Sequence, residues 1–197
     1  MLYRDLDQFA ANVADVVERF QASNGYTTCM WHNMLTSKVL FDRDGQYAAT
    51  RQRFDVPFPE ELRRNIINRN MRLLTGNLPS YDAQIRKAAS RGDKIAVNHR
   101  MAAFMESYFD VLFALNRRTH PGEKRLDKLA ERDCAFCRRI SASTSIRCSI
   151  RCTPIKRCSA RLWAKSLTTC VRRSTRTCDL SRESGGSTPV ATGFRRS

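Results

Sequence analysis

The segment DKIAVNHRMAAFMESYFDVLFALNRR, residues 93–118, is the feature that most constrains the fold of this chain. A helix that is apolar around most of its circumference is stable in water only when other elements surround it. We therefore predict a mainly α-helical fold with this segment as the central helix of the core. The large apolar residues that occupy more than one side of it are Met101, Phe104, Met105, Tyr108, Phe109, Leu112, Phe113 and Leu115.

Shorter helices are predicted on both sides of the central one. Apolar residues recur at helical spacing from Leu6 to Phe20, and Asp5 and Gln8 form a capping pair at the start. The Asp-Gly pair in KVLFDRDGQYAAT is a strong hairpin signal, so we also predict one short β-hairpin. The other predicted helices cover CMWHNML, the segment from Pro59 to an end at Gly76, the segment from Ser80 to an end at Gly92, and EKRLDKLAER.

Charge and cysteine content divide the chain at Asp133. Residues 1–133 contain 21 Lys and Arg against 17 Asp and Glu, whereas residues 134–197 contain 14 against 2. Seven of the eight cysteines also lie after Asp133. The predicted fold class is therefore a helical bundle with one short β-hairpin, followed by an irregular or disordered tail.

Three interpretations of residues 134–197 are open. Cys134 and Cys137 have the spacing of one half of a zinc site, and three later cysteines could complete it, but the next pair has a different spacing and no His lies nearby. A basic disordered arm that binds nucleic acid would explain the Arg and Ser content. Such an arm rarely carries seven cysteines and a tryptophan, Trp163.

The third interpretation is a shift of the reading frame near Cys134, and it is the one we favour. Codons can be chosen for RISASTSIRCSIRC and for LWAKSLTTCVRRSTRTC so that the shifted frame encodes acidic, amphipathic peptides. One event then explains the excess of Cys, Arg and Ser together. The tail cysteines would be an accident of translation rather than ligands or disulfide partners.

Other polar motifs are better explained by local structure than by chemistry. Placing Gly45 of DRDG at the sixth position of a calcium loop leaves unsuitable residues at the first and twelfth positions, so a tight turn is the better interpretation. Asp5 and Asp7 lie at a helix start without a preceding strand or Gly-Ser turn, which favours capping over metal binding. His32 and His99 lie on apolar segments and are expected in the core or at its rim.

The segment NRRTHPGEKRL contains the candidate binding residues. Asn116, Arg117, Arg118, His120 and Lys124 lie around a Pro-Gly break directly after the most apolar helix, and all of them except Arg118 are predicted as substrate-binding residues. A rigid scaffold at such a break can present donors to an anionic ligand. A charged connection between two helices explains the same residues equally well, and no catalytic residue or metal ligand is predicted.

Three segments, YFDVLFALNRRTHPGEKRL, MLTSKVLFDRDGQY and FPEELRRNII, resemble the C-terminal half of bacterial nucleotidyltransferase-like proteins of the DUF4037 type. The resemblance covers about residues 5–133. It implies membership of the polymerase-beta-like nucleotidyltransferase superfamily, in which a small α/β catalytic domain precedes a helical domain. On that basis residues 1–55 are expected to end a nucleotidyltransferase-like module, residues 56–133 to form the helical C-terminal domain, and residues 134–197 to be an out-of-frame tail.

The resemblance also implies an activity, which is nucleotidyl transfer from a nucleoside triphosphate to an unknown acceptor with the help of Mg²⁺. The superfamily's Gly-Ser turn followed by Asp-x-Asp does not precede the helical part of this chain, because its one Gly-Ser pair is Gly186-Ser187. We therefore expect a fragment, truncated at its N-terminus and inactive alone. The alternative is a non-catalytic helical binding module whose basic tail contacts nucleic acid or an acidic protein. The start of the chain has no secretory signal pattern, so a cytoplasmic location without membrane contact is expected.

Overall fold

The computed structural model describes residues 4–75 and 79–134, and in these ranges it contains seven helices and no strand. The predicted mainly α fold is confirmed. The predicted tail apart from Cys134, and the predicted helix end at Gly76, lie outside the described residues. The helices are α1 (Leu6–Val17), α2 (Cys29–Thr36), α3 (Gln46–Phe54), α4 (Glu60–Leu74), α5 (Tyr81–Ser90), α6 (Lys94–Leu115) and α7 (Leu126–Asp133).

The predicted β-hairpin is wrong, because the Asp-Gly pair begins α3 instead of joining two strands. Gly45 adopts the left-handed conformation, with φ 67°, at the N-cap of α3. The carboxylate of Asp42 accepts hydrogen bonds from the backbone N–H of Tyr47 at 3.3 Å and of Ala48 at 2.9 Å. The residues after Gly45 include two alanines, a glutamine and an arginine, which favour helix over strand. An Asp-Gly pair can precede either a strand or a helix. The local sequence pattern therefore did not distinguish a hairpin from the start of α3.

The central position predicted for the apolar segment is confirmed in α6. Its start is capped by Asp93, whose carboxylate accepts from the backbone N–H of Ala96 at 3.0 Å. Every residue from Ser107 to Leu115 is buried. Helices α4 and α5 pack along α6, and α7 contacts it as well. These neighbours provide the surrounding apolar contacts that a helix without a broad polar face requires.

The helices pair within two groups along the chain. Helix α1 contacts α2 and α3, while α4, α5 and α7 contact α6. The predicted boundary at residue 55 falls in the connection between the groups, and the division into two domains stays a prediction. Buried apolar side chains of both groups nevertheless form one cluster, which includes Val13, Trp31, Leu62 and Phe113. No helix among residues 4–75 and 79–134 is long and apolar enough to cross a membrane.

The loop between α1 and α2 approaches α6 closely at Gly25. Gly25 has φ +84°, and a Cβ atom built on it would lie 2.8 Å from the Cβ of Glu106. Its backbone N–H donates to the side chain of Asn70 on α4 at 3.1 Å. Any other residue would therefore face both an unfavourable backbone conformation and a steric clash with α6.

We expect Gly25→Ala to destabilise the protein more than Gly92→Ala does, as measured by urea unfolding. Gly92 also has a positive φ, +72°, but an added Cβ there would meet no atom within 4 Å. Backbone strain alone should cost about 1–2 kcal/mol at Gly92, and the clash at Gly25 should add about 1–3 kcal/mol. Equal losses for the two variants would contradict the close approach to Glu106.

Candidate functional site

The connection from α6 to α7, residues 116–125, begins with a tightly closed helix end. The backbone N–H of Arg118 donates to the carbonyl of Phe113 at 3.0 Å, and the side chain of Asn116 donates to the carbonyl of Leu112 at 2.8 Å. Arg117 adopts the left-handed conformation, with φ 51°. Helices commonly end with one left-handed residue, and glycine is the usual choice. The backbone of this connection is therefore fixed from its first residues.

The two cationic candidates of the connection reach the surface. The guanidinium of Arg117 lies 3.1 Å from a carboxylate oxygen of Glu60, in the first turn of α4, and its side chain is 56% exposed. Lys124 is exposed and forms no ion pair with any residue in the described ranges. A solvated ammonium with no partner is available to a ligand at little desolvation cost.

His120 lies inside the protein, so it differs in kind from the other candidates. Its ring is fully buried and packs edge-on between Tyr26, at 4.9 Å between centroids, and Phe113, at 5.3 Å. Its Nδ1 accepts from the backbone N–H of Gly122 at 3.1 Å. Its backbone N–H donates to the hydroxyl of Thr28 at 2.7 Å. His120 therefore anchors the connection to the loop before α2.

Burial and the neighbouring His32 lower the pKa of His120 to about 4. His32 lies on α2, where its Nδ1 is 2.7 Å from the hydroxyl of Thr119, and burial lowers its pKa as well. Both imidazoles are thus neutral near pH 7. They hold the connection against α2 through ring packing and hydrogen bonds, without adding positive charge.

The four predicted site residues accordingly do not lie on one surface. The side chain of Asn116 bonds to its own helix, His120 is enclosed, and only Arg117 and Lys124 point into solvent. The role of the group in substrate binding stays a prediction. For His120 the geometry describes a positioning residue, which fixes the backbone that carries Arg117 and Lys124.

A buried polar cluster around Asp110 was missed by the sequence analysis. Asp110, on α6, is 1% exposed. Its carboxylate accepts from the backbone N–H of Thr27 at 3.1 Å, from the hydroxyl of Thr27 at 2.7 Å and from the side-chain amide of Asn70 at 3.2 Å. The same amide also donates to the carbonyl of Ser23 at 3.1 Å. The available signal was a single acid inside the apolar run YFDVLF, since a buried carboxyl requires partners.

Burial raises the pKa of Asp110 to about 7, although the hydrogen bonds from Thr27 and Asn70 act in the opposite direction. Strongly shifted carboxyl groups are common at functional sites. Here the shifted group is enclosed, and the hydrogen bonds to it come from the loop and from α4. Its geometry therefore supports a structural role, which is to hold the loop before α2 against α4 and α6.

A cavity, which we name the N-terminal groove, lies between the start of α1 and the segment after α2. The cavity has a volume of about 740 Å³. Three consecutive lining residues, Val39, Leu40 and Phe41, are exposed apolar side chains. The lining consists of Arg4, Asp5, Leu6, Phe9, Asn33, Ser37, Lys38, Val39, Leu40, Phe41 and Tyr47.

The part of the chain that the structure describes contains no group of three or more His, Cys, Asp or Glu side chains that could hold a metal ion. Asp5 instead caps α1 by accepting from the backbone N–H of Gln8 at 2.8 Å. Cys134, the first cysteine of the pair considered for a zinc site, is buried, and Cys137 lies outside the described residues. The described residues thus contain no such ready-made cluster for the Mg²⁺ that the resemblance implies, and the Mg²⁺ of the intact family stays a prediction.

Comparison with known proteins gives one match. The family described as Domain of unknown function (DUF4037) matches residues 28–126, from the start of α2 to the start of α7. The matched range thus includes Asp110, Asn70 and the whole connection after α6. No curated protein and no solved structure matches the chain.

We expect the His120→Asn variant to lose less stability than the wild-type protein as the pH falls. As the pH falls, His120 binds a proton near pH 6.5 in the unfolded chain but only near pH 4 in the folded protein. The free energy of unfolding of the wild-type protein therefore falls by about 3 kcal/mol over this window. The Asn side chain can still accept from Gly122, but it does not titrate. Asp110 acts in the opposite direction with its raised pKa, and it is present in both proteins.

The measurement is urea unfolding of both proteins between about pH 7 and about pH 4.5. Loss of the ring should lower the stability of His120→Asn at pH 7, and the two proteins should converge as pH falls. Parallel pH profiles would show that His120 is not held neutral in the folded state.

Proposed function

This chain belongs to the DUF4037 family, and from that premise we propose that it is the helical part of a nucleotidyltransferase. The proposed reaction moves a nucleotidyl group from a nucleoside triphosphate to an acceptor. We propose further that the chain is inactive alone, because its sequence has no Gly-Ser turn followed by Asp-x-Asp before the helical region. A catalytic domain that carries this motif would act together with the helical part.

The observation that carries the proposal is the rigid connection after α6. Its start is closed by Asn116, its middle is fixed by the buried ring of His120, and Gly122 and Arg125 adopt positive φ angles of 95° and 57°. A fixed backbone places cationic side chains with little loss of entropy on binding. Four exposed cations lie on it, Arg117, Arg118, Lys124 and Arg125, and the proposal rests on Arg117 and Lys124.

In the proposed reaction these cations stabilise negative charge on the phosphate groups. In nucleotidyl transfer an acceptor oxygen bonds to the α-phosphorus, the bond from that phosphorus to the bridging oxygen breaks, and pyrophosphate leaves. Negative charge spreads over the phosphate oxygens, and positioned cations stabilise it. Lys124 would neutralise part of that charge. The carboxylates that hold Mg²⁺ would belong to the catalytic domain, because no Gly-Ser turn followed by Asp-x-Asp precedes the helical part of this chain.

Arg117 also forms an ion pair with Glu60, which links the connection to α4. The carboxylate of Glu60 lies 3.1 Å from Arg117 and 2.6 Å from the buried Arg63, so it joins the connection to the first turn of α4. An arriving phosphate would compete with Glu60 for Arg117. Lys124 has no such competitor among the described residues and is therefore the sharper test of the proposal.

We expect Lys124→Ala to reduce nucleotidyl transfer about tenfold or more, with little change in melting temperature, since an exposed lysine contributes little to stability. The assay requires a related protein that has both this connection and the Gly-Ser and Asp-x-Asp motif. The matched control is Lys128→Ala, an exposed lysine on α7. Loss of stability without selective loss of transfer, or equal effects of the two variants, would assign the connection a structural role only.

A second candidate function follows from the charge of the tail. Residues 134–197 carry 14 Lys and Arg against 2 Asp and Glu, which favours a non-catalytic helical module that grips nucleic acid or an acidic protein. A salt titration of binding to a single-stranded oligonucleotide separates the candidates. A phosphate-binding arm loses affinity steeply and linearly on a double logarithmic plot. Absence of salt-sensitive binding would leave the tail without this function.

We also propose that the tail results from a shifted reading frame near Cys134. The support is the joint change in charge and cysteine content after Asp133, together with the acidic amphipathic peptides that the shifted frame can encode. The test is the coding DNA on both sides of the Cys134 codon. A sequence that opens no long helical frame there would contradict the proposal, and the basic tail would then be a genuine part of the protein.

A further inference from the structure

Asn24 and Gly25 form the single Asn-Gly pair of the sequence, and they lie in the loop between α1 and α2. Asparagine is a chemically labile residue, and it is most labile before glycine, which has no side chain to keep its backbone nitrogen away from the preceding carboxamide. Asn24 is exposed, whereas Gly25 is buried. The carboxamide of the pair is therefore open to solvent, while the nitrogen that would attack it is enclosed.

The reaction open to this pair is deamidation. The nitrogen of Gly25 bonds to the Cγ atom of Asn24, the bond from Cγ to the side-chain nitrogen breaks, and ammonia leaves with the proton that the Gly25 nitrogen gives up. The product is a succinimide ring. Water then opens the ring at either carbonyl carbon and leaves aspartate or isoaspartate at position 24.

Both reacting groups are bonded to α4 in the folded protein. The Nε of Arg69 donates to the side-chain oxygen of Asn24 at 2.8 Å, and the backbone N–H of Gly25 donates to the side-chain oxygen of Asn70 at 3.1 Å. A donor on the carboxamide oxygen draws electrons away from Cγ, so Arg69 does not protect that carbon from attack. Protection therefore has to come from the nitrogen, whose N–H is already bonded and buried.

The nitrogen of Gly25 is held in place from several directions. Gly25 lies against Glu106 of α6, and its carbonyl accepts from the hydroxyl of Ser23 at 2.8 Å. The side-chain amide of Asn70 also donates to the carbonyl of Ser23 at 3.1 Å and to the carboxylate of Asp110 at 3.2 Å. Before the nitrogen can reach the carboxamide, the loop has to release Asn70, which leaves buried polar groups without their partners.

We propose that Asn24 is a site of spontaneous deamidation, and that the hydrogen bond from Gly25 to Asn70 suppresses the reaction in the folded protein. Local opening of the loop frees the nitrogen and permits the reaction. The isoaspartate product lengthens the backbone by its β-carbon, and the close approach of Gly25 to Glu106 leaves no room for a longer chain. A loop that has reacted to isoaspartate no longer fits against α6. The inference goes beyond the proposed function, because it concerns the loop before α2 and not the connection after α6.

The experiment follows position 24 by mass spectrometry of proteolytic peptides while the full chain is incubated at mildly alkaline pH, in native buffer and in urea. The chain in urea should deamidate at Asn24, and the folded protein should react at least about tenfold more slowly, because only the open loop is reactive. The variant Asn24→Gln should abolish the signal in urea, since its longer side chain does not form the succinimide ring.

The variant Asn70→Ala tests the hydrogen bond itself. In native buffer it should deamidate about tenfold faster than the wild-type protein, because the N–H of Gly25 loses its acceptor. The matched control is Asn65→Ala. Asn65 is another asparagine of α4, and its side chain donates to the carbonyl of Phe20 in the same loop at 3.0 Å. Its loss leaves the bond at Gly25 intact and should change the rate less than about twofold.

Hydrogen exchange of the Gly25 N–H in the wild-type protein, followed by NMR, tests the same bond without a substitution. Exchange and deamidation both require release of this N–H, so folding should slow the two reactions by similar factors relative to the unfolded chain.

Each outcome decides the proposal. Slow deamidation of the folded wild-type protein, with acceleration by Asn70→Ala but not by Asn65→Ala, supports it. Similar rates in native buffer and in urea overturn it, and so does equal acceleration by the two variants. If urea unfolding shows that Asn70→Ala does not fold, the exchange comparison decides: similar protection factors support the proposal, and a freely exchanging Gly25 N–H beside slow deamidation overturns it.

Discussion

The buried carboxyl of Asp110 is the interaction on which the rest of the arrangement depends. It accepts three hydrogen bonds, two from Thr27 and one from Asn70, and so ties the loop before α2 to both α4 and α6. The loss of hydration on burial raises its pKa to about 7, so the carboxyl is only partly ionised near neutral pH. Burying this group is tolerable because its oxygens find donors within the protein.

The loop that Asp110 holds determines where the α1–α3 helices meet the helices around α6. Gly25 approaches Glu106, and the next residues supply Tyr26 to the ring of His120 and Thr28 to its backbone. The loop therefore also supports the connection after α6. A disturbance at Asp110 or Gly25 should reach the candidate binding residues through these contacts, without any direct contact to Arg117 or Lys124.

The connection after α6 and the N-terminal groove differ in the side chains that they expose. The connection carries exposed cations on a backbone that hydrogen bonds and the buried ring of His120 hold in place. The groove places the exposed apolar side chains of Val39, Leu40 and Phe41 beside the charged groups of Arg4, Asp5 and Lys38. The α2 helix contributes to both, since His32 bonds to Thr119 and Asn33 lines the groove.

The sequence by itself determined the helical class, the central place of α6 and the capping role of Asp5, because these follow from local periodicity and cap chemistry. The sequence also indicated the DUF4037 family, because the three segments that resemble it lie within the matched residues 28–126. The tertiary structure alone decided that the DRDG turn begins a helix, that His120 points inward and that Asp110 is paired. These outcomes depend on partners distant in the chain, such as Thr27 for Asp110, and local sequence patterns do not encode which distant side chains will meet.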